Sequence, residues 1–357
     1  MLTLGAKWAA SLDNPKNTLA FGVEQQVWYY DGGRVFYQIA DYTGDAKWYK
    51  YGDKILDAYA DYVIANNGGM PGYKVFPYGL MMGYQRTHNA KYMKALNLLA
   101  YGSKANTVAG VQLRYYRKHG TSTLADPTFT IPNPQYVPFY IRESAYITDA
   151  MIANELVTGK RHPLLLIGVY DCIMEDLKAY MDPASSTYNG KGTGYNVVNT
   201  FMVGLCLESL IHYYEMTVAE GEPDTKIPPF VKQVLDFFWQ NGVEQSTGAM
   251  YYNSDITNGG VTGAGGKRVL YTASNLNQLV APAFAWYWKF SQDNTYLTRG
   301  DLMFSAGVRG AGTNSKGSIT DQDYSWSGKQ FSQNYKWSFD YVRWRSGDNG
   351  SAIGASH

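Results

Sequence analysis

The stretch Thr43-Gly44-Asp45-Ala46-Lys47-Trp48 decides the fold, because its local chemistry returns along the chain. Thr87-His88-Asn89-Ala90-Lys91-Tyr92 and Ser291-Gln292-Asp293-Asn294-Thr295-Tyr296 repeat it, and Thr158-Gly159-Lys160 is a degenerate copy. In such a stretch a Gly closes one helix in the left-handed conformation, and Asp or Asn then caps the next. The aromatic three residues after the cap packs into the hairpin so formed. Each copy follows one amphipathic stretch and precedes another, so each marks a helical hairpin.

Reading outward from these turns predicts helices over 22–42 with 45–66, 76–86 with 89–104, 137–157 with 163–181, 196–218 with 226–241, and 271–290 with 294–308. A further helix at about 326–345 lacks a C-terminal partner, and residues 2–12 lack an N-terminal one. Pairing these two closes a ring of twelve helices. The expected fold is therefore an all-α (α/α) toroid of six hairpins, with one domain over residues 1–357. An open solenoid is the alternative, and a seventh hairpin within 105–136 stays open. Stretches 128–132 and 249–252 have the character of short strands, but no period of two is sustained.

Composition narrows the partners. A net charge of +1 with 17% charged residues argues against nucleic acid or a membrane surface held by bulk electrostatics. No apolar run reaches membrane-spanning length. The start lacks the order of a signal peptide, so the protein is either cytoplasmic or numbered after a removed leader. Cys172 and Cys206 lie in apolar helical stretches and read as buried thiols, with an interhelical disulfide as the alternative. The outlier is the aromatic content, with 32 Tyr, 9 Trp and 14 Phe. A Tyr-rich, weakly charged surface suits ligands that combine hydroxyls with apolar C–H faces, which describes sugars.

The turns within hairpins are short, whereas the links between them (105–136, 182–195, 242–270 and 309–325) are long. Long links in a compact domain carry function, and alternation of helix direction places these at one end. That face takes the starts of the inner helices. Tyr29, Tyr30 and Asp31 come from the first hairpin; Arg142, Glu143 and Tyr146 from the third; Asn199 from the fourth; Arg268 and Tyr271 from the fifth; Lys329, Gln330, Gln333 and Trp337 from the last helix. His119 lies in the longest link. His88 and His162 fall at the opposite end, and His212, one turn after Glu208, reads as half of a local pair. No histidine has zinc-ligand spacing, and neither metal nor cofactor is expected.

With these hairpins, turns and Tyr-rich helix starts, the chain resembles the α,α-toroid carbohydrate-active enzymes. Segments such as Tyr29-Tyr30-Asp31-Gly32-Gly33 and Lys329-Gln330-Phe331-Ser332-Gln333-Asn334-Tyr335 have the texture of polysaccharide lyases of the glucuronan and alginate lyase type, family 38. The Asn-Asn-His signature of another α-toroid alginate lyase family is absent. The resemblance implies β-elimination on a polyuronate. Such a reaction needs the uronate carboxylate neutralised, a base for the adjacent C–H, and an acid for the leaving oxygen.

Under that expectation Tyr271 transfers the proton, its phenol made more acidic by Lys267, Arg268 and a helix start. Arg268, Arg142 and Asn199 handle the carboxylate, Glu143 orients Arg142, and His119 is a second proton carrier. Tyr29, Tyr30, Asp31, Tyr146, Lys329, Gln330, Gln333 and Trp337 bind the glycan. The first alternative is a glycoside hydrolase on the same scaffold, using Asp31 and Glu143 as its carboxylate pair, with Asp255, Asp321 and Asp323 in reserve. The second is a non-catalytic glycan-binding toroid. A polymeric substrate implies a secreted or periplasmic protein; oligomeric state is not readable.

Overall fold

The computed structural model describes residues 1–14, 16, 19–21, 23, 26–102, 141–182, 197–255, 261–262, 268–269, 272–309 and 327–347. Among them are twelve α-helices: α1 (Leu2–Asp13), α2 (Gly32–Thr43), α3 (Tyr49–Ala65), α4 (Pro77–Thr87), α5 (Ala90–Tyr101), α6 (Ile141–Thr158), α7 (Glu175–Met181), α8 (Phe201–Ala219), α9 (Ile227–Asn241), α10 (Ala281–Ser291), α11 (Asn294–Arg309) and α12 (Gly328–Arg345). The long links at 105–136 and 182–195, the strand expected at 128–132 and most of 309–325 lie outside the described residues.

The repeated turn has one physical construction. A Ser or Thr hydroxyl in the last turn donates to the carbonyl four residues back: Thr43 to Ile39, Thr87 to Gly83, Thr158 to Asn154, Ser291 to Tyr287. The same oxygen accepts the amide two residues on, from Asp45, Asn89, Lys160 and Asp293. Between them a residue takes positive φ: Gly44, His88, Gly159 or Gln292. Asp45, Asn89 and Asp293 then accept the amides of Lys47, Lys91 and Thr295, capping the next helix. Each such cap is worth about 1 kcal/mol. The aromatics that follow, Trp48, Tyr92 and Tyr296, are all buried.

The helix expected at 163–181 runs as a π-helical segment over Ile167–Met174 and becomes α7 at Glu175. Three other helix starts differ from expectation, each for a local reason. The first inner helix begins at Gly32 rather than residue 22, because Tyr30 and Asp31 both adopt left-handed backbone (φ 58° and 62°). The stretch expected as 271–290 is broken into a 3₁₀ segment Ser274–Leu279 and α10, whose start holds Pro282. A proline has no N–H to continue the preceding turn. Asn199 lies in β1 (Val197–Asn199), so α8 begins two residues later.

The chain divides into two compact units. The first comprises Met1–Met174, Ser327–Ser332 and Ser351–His357; the second comprises Glu175–Trp326 and Gln333–Gly350. The first contains α1 to α6, a π-helical segment Ile167–Met174 and the opening turn of α12, around an aromatic core that includes Trp28, Phe36, Phe76, Tyr78 and Tyr146. The second contains α7 to α11 and the rest of α12, with Phe238, Phe284 and Trp337 in its core.

Among the described residues, six short strands occur in the second unit. β1 pairs antiparallel with β4 (Asn253–Asp255), β2 (Val243–Glu244) with β3 (Ala249–Met250), and β5 (Val261–Thr262) with β6 (Arg268–Val269). Of the strand expected at 249–252, only Ala249–Met250 forms, and Tyr251 makes a single bridge to Thr272; the strand pairs with a partner the sequence reading does not name. Buried Asn277 pins it, accepting the Met250 amide and donating to the carbonyls of Gly248 and Met303. Cys172 and Cys206 are both free and buried. No described helix is long and apolar enough to cross a membrane.

Candidate functional site

The motif Tyr29-Tyr30-Asp31-Gly32-Gly33 builds one wall of a site in the first unit. Val27 to Asp31 run as turns, and the Gly32 amide reaches back to the Trp28 carbonyl at 3.2 Å. A Cβ on Gly32 would lie 1.8 Å from the Val27 carbonyl oxygen, so only glycine closes this turn. The left-handed Tyr30 and Asp31 are strained by about 1–2 kcal/mol each. They are held because Asp31 is buried and its Oδ2 accepts the Gly79 amide at 3.0 Å. Asp31 therefore ties the start of α2 to α4.

The turn presents Tyr29 edge-on to Tyr30, at 4.9 Å between ring centroids. Phe76 lies 5.3 Å from Tyr29, 6.2 Å from Tyr30 and 5.6 Å from Tyr146. Lys329, in the first turn of α12, places its ammonium 5.2 Å from the Tyr29 ring and 6.0 Å from Tyr30, within cation–π range. Arg142 lies 5.1 Å over Tyr73 and donates through Nε and Nη2 to Glu143 Oε1, at 3.2 and 2.8 Å. The site thus joins Tyr29, Tyr30, Tyr146, Arg142, Glu143 and Lys329, six residues that the sequence reading singled out from three separate helices.

Glu143 is the buried carboxyl of this site. Its side chain is 10% exposed, and among the described residues its Oε2 has no hydrogen-bond partner. Burial raises its proton affinity above the usual glutamate range, outweighing the opposing effect of Arg142. Burial also works against the charge on Arg142, but Glu143, Tyr146 and Tyr29 outweigh it and hold the guanidinium proton more tightly than usual. A buried carboxyl with one satisfied and one available oxygen can give or take a proton. Gly72 makes room for it, since a Cβ there would lie 2.6 Å from Glu143 Cγ.

Tyr73, Lys74 and Phe76 are members the sequence reading missed. They lie in the link 66–76, shorter than those it counted. The signal was present in Gly68-Gly69 and Pro71-Gly72, turn dipeptides that lead straight into Tyr73-Lys74. Lys74 is buried and donates to the Phe21 carbonyl at 2.9 Å, with Trp28 and Tyr73 beneath its ammonium.

Other expected site residues make contacts of their own. Gln333 is buried in the second unit, donating to the Asn275 carbonyl, and Trp337 donates its indole N–H to Glu208. The Gln330 amide donates to the Ser327 hydroxyl at the start of α12. Asn199 faces Asn253 across the β1–β4 ladder. Arg268 sits in β6 opposite Thr262, not at a helix start, so the dipole argument that linked it to Tyr271 does not hold. Tyr271 and His119 lie outside the described residues, as do Asp321 and Asp323 and the side chain of Asp255. His162 is buried and its pKa is pushed down to about 4 by burial, so it stays neutral.

No family model and no curated protein matches the sequence. Solved structures do match. A possible GH105 family member from Salmonella enterica serovar Paratyphi A superposes with a TM-score of 0.59 at 12% identity, over 96% of this chain and 93% of that one. Unsaturated glucuronyl hydrolase from Bacillus sp. GL1 gives 0.58 at 11% identity, over 100% of both chains. Cellobiose 2-epimerase from Bacillus thermoamylovorans gives 0.54 at 10% identity, over 96% of this chain and 100% of that one. At such identities the likeness shows the fold alone. That fold is all-α, of the (α/α) toroid class.

Proposed function

We propose that the chain is a glycoside hydrolase acting on uronate-bearing oligosaccharides, with Glu143 as its proton-transfer group. The observation that carries this reading is the buried Glu143 carboxyl, half-satisfied by Arg142 and set among Tyr29, Tyr30, Tyr73 and Tyr146. The fold it shares with a GH105 candidate and with a glucuronyl hydrolase supports the same reading, and favours hydrolysis over the β-elimination implied by the lyase resemblance.

In this proposal the tyrosines present aromatic faces to sugar C–H surfaces. Arg142 and Lys329 supply the positive charge that a uronate carboxylate requires. Neutral Glu143 donates its proton to the substrate, and its carboxylate then accepts one from the attacking water. An ordinary glycoside needs a second carboxylate for that exchange. Asp31, the partner first expected, is engaged with the Gly79 amide. A substrate whose uronate carries a C=C bond conjugated to its carboxylate is an enol ether, and one proton-transfer group suffices for its hydration; the hemiketal so formed opens to a ketone, and the resulting C1 hemiacetal expels the glycosidic oxygen as the free alcohol. Such a substrate fits the available carboxyl oxygen of Glu143 among the described residues. As a corollary, we place the protein where such oligosaccharides arise, outside the cytoplasm, with residues 1–357 acting as one catalytic domain.

The test is the ultraviolet absorbance of unsaturated uronates. A hydrolase of this kind removes the conjugated double bond, so absorbance of an unsaturated glucuronyl oligosaccharide falls. A lyase creates the bond, so absorbance of glucuronan or alginate rises instead, and that result would overturn the proposal.

A further inference from the structure

The second unit holds a buried polar cluster that the proposed reaction does not use. Glu208 and His212 lie one turn apart on α8, and Asp340 projects from α12. All three are at most 5% exposed. One ligand-type atom from each lies within 4.8 Å of the others, and His212 Nε2 is 4.0 Å from Glu208 Oε1. We propose that Glu208, His212 and Asp340 form a binding site for a divalent transition-metal ion of the zinc class.

Three features argue for it. The first is ligand spacing, since a side-chain pair at i and i+4 on one helix face brings two donors to one point, and the neighbouring helix adds a third. Tetrahedral zinc bonds of about 2.1 Å set ligand atoms about 3.4 Å apart, so the cluster closes on an ion by rotamer adjustment of roughly an ångström.

The second is the way the donors are held. Glu208 Oε2 accepts the Trp337 indole N–H and lies 3.6 Å from Lys336 Nζ, while Oε1 lies 4.0 Å from His212 Nε2. Arg343 lies 3.6 Å from Asp340 Oδ1 and 3.6 Å from Glu215 Oε2. Outer partners of this kind orient metal ligands. The third is charge and space. Two of the three proposed ligands, Glu208 and Asp340, are carboxylates, whose charge suits a dication. Two of the proposed ligands, Glu208 and Asp340, also line a small cavity of about 10 Å³ with Trp337 and Trp344, the lower limit of space for one water. Imidazole with carboxylates in such a geometry suits zinc rather than calcium or magnesium. The ion would clamp α8 to α12 within the unit.

The test uses the full chain, dialysed against chelator, given zinc chloride and desalted before elemental analysis. The expected result is one retained zinc per chain and a melting temperature raised by zinc. His212→Gln and Asp340→Asn abolish both. Trp337→Phe, which removes an outer donor but no ligand, lowers zinc affinity about 10- to 100-fold. If the ligand variants do not fold, Trp337→Phe and titration of the wild type decide. Wild type that retains no zinc and shows no shift would overturn the proposal, as would equal retention by all variants. Neither readout depends on glycan turnover.

Discussion

Two buried glutamates, one in each unit, are treated in opposite ways. Glu143 has one oxygen engaged by Arg142, while among the described residues the other has no hydrogen-bond partner. Glu208 has one oxygen engaged by Trp337 and Lys336 while the other faces His212. Desolvating a carboxyl without satisfying it favours the protonated form, which is how a fold prepares a group for proton transfer. Surrounding a carboxylate with donors and cations does the reverse and makes it a structural tie or an ion ligand. The difference teaches that burial does not assign a role to an acidic residue; what stands opposite its second oxygen does.

The contrast is broken most forcefully at Glu143. Glu143→Gln lowers the rate of hydrolysis about 10²- to 10⁴-fold with the fold intact by circular dichroism. Asp31→Asn, which keeps an acceptor for the Gly79 amide, stays within about tenfold of wild type. Equal losses in the two variants would remove the distinction between them. Because burial raises the proton affinity of Glu143, the group that donates is lost as pH rises through its folded pKa, and activity falls on that limb. The stability sign agrees. In that window the folded state binds more protons than the unfolded state, so Glu143 favours folding at low pH and less so above it.

Glu208→Ala tests the other side. It leaves Lys336 buried without its carboxylate, and urea unfolding shows a loss of about 3–5 kcal/mol. A loss under about 1 kcal/mol would mean that the cluster contributes little to holding α8 and α12.

The histidines extend the comparison. His212 faces a carboxylate, whereas His162 sits against Tyr101, 4.3 Å between rings, and accepts the Leu164 amide. The folded pKa of His162, about 4, lies below its ordinary 6.5. The unfolded state therefore binds more protons between those values, and stability is lost as pH falls through the window. The full difference is about 3 kcal/mol. His162→Gln flattens this acid limb in pH-dependent denaturation, and an unchanged limb would contradict it.

A smaller effect is expected at Arg142. Arg142→Met raises KM for a uronate substrate about 10- to 100-fold, leaves a neutral analogue unaffected, and shifts the acid-dependent limb upward as Glu143 loses its cation.

Much of the architecture was legible because it is written in local chemistry. The Thr-Gly-Asp turn satisfies its own amides and carbonyls, so its three clear copies mark hairpins without reference to anything distant. The start of α2 was misjudged because Tyr30 and Asp31 read as helical, whereas their left-handed backbone is tied through Asp31 to the Gly79 amide, 48 residues away. Tyr29, Tyr30, Arg142, Glu143 and Lys329 were found because aromatic and charged residues cluster at helix starts. Phe76, the ring between them, was not, since a lone phenylalanine before a proline has no distinguishing pattern. Glu208 and His212 were visible as an i, i+4 pair, but Lys336, Trp337 and Asp340 reach them from 124 to 132 positions on, beyond any local rule.

The most direct test of the central claim follows absorbance of an unsaturated glucuronyl oligosaccharide with wild type and Glu143→Gln side by side. The account predicts a fall in absorbance for wild type and almost none for the variant. An unchanged rate in Glu143→Gln, or no fall with wild type and a rise on intact polyuronate, would contradict it.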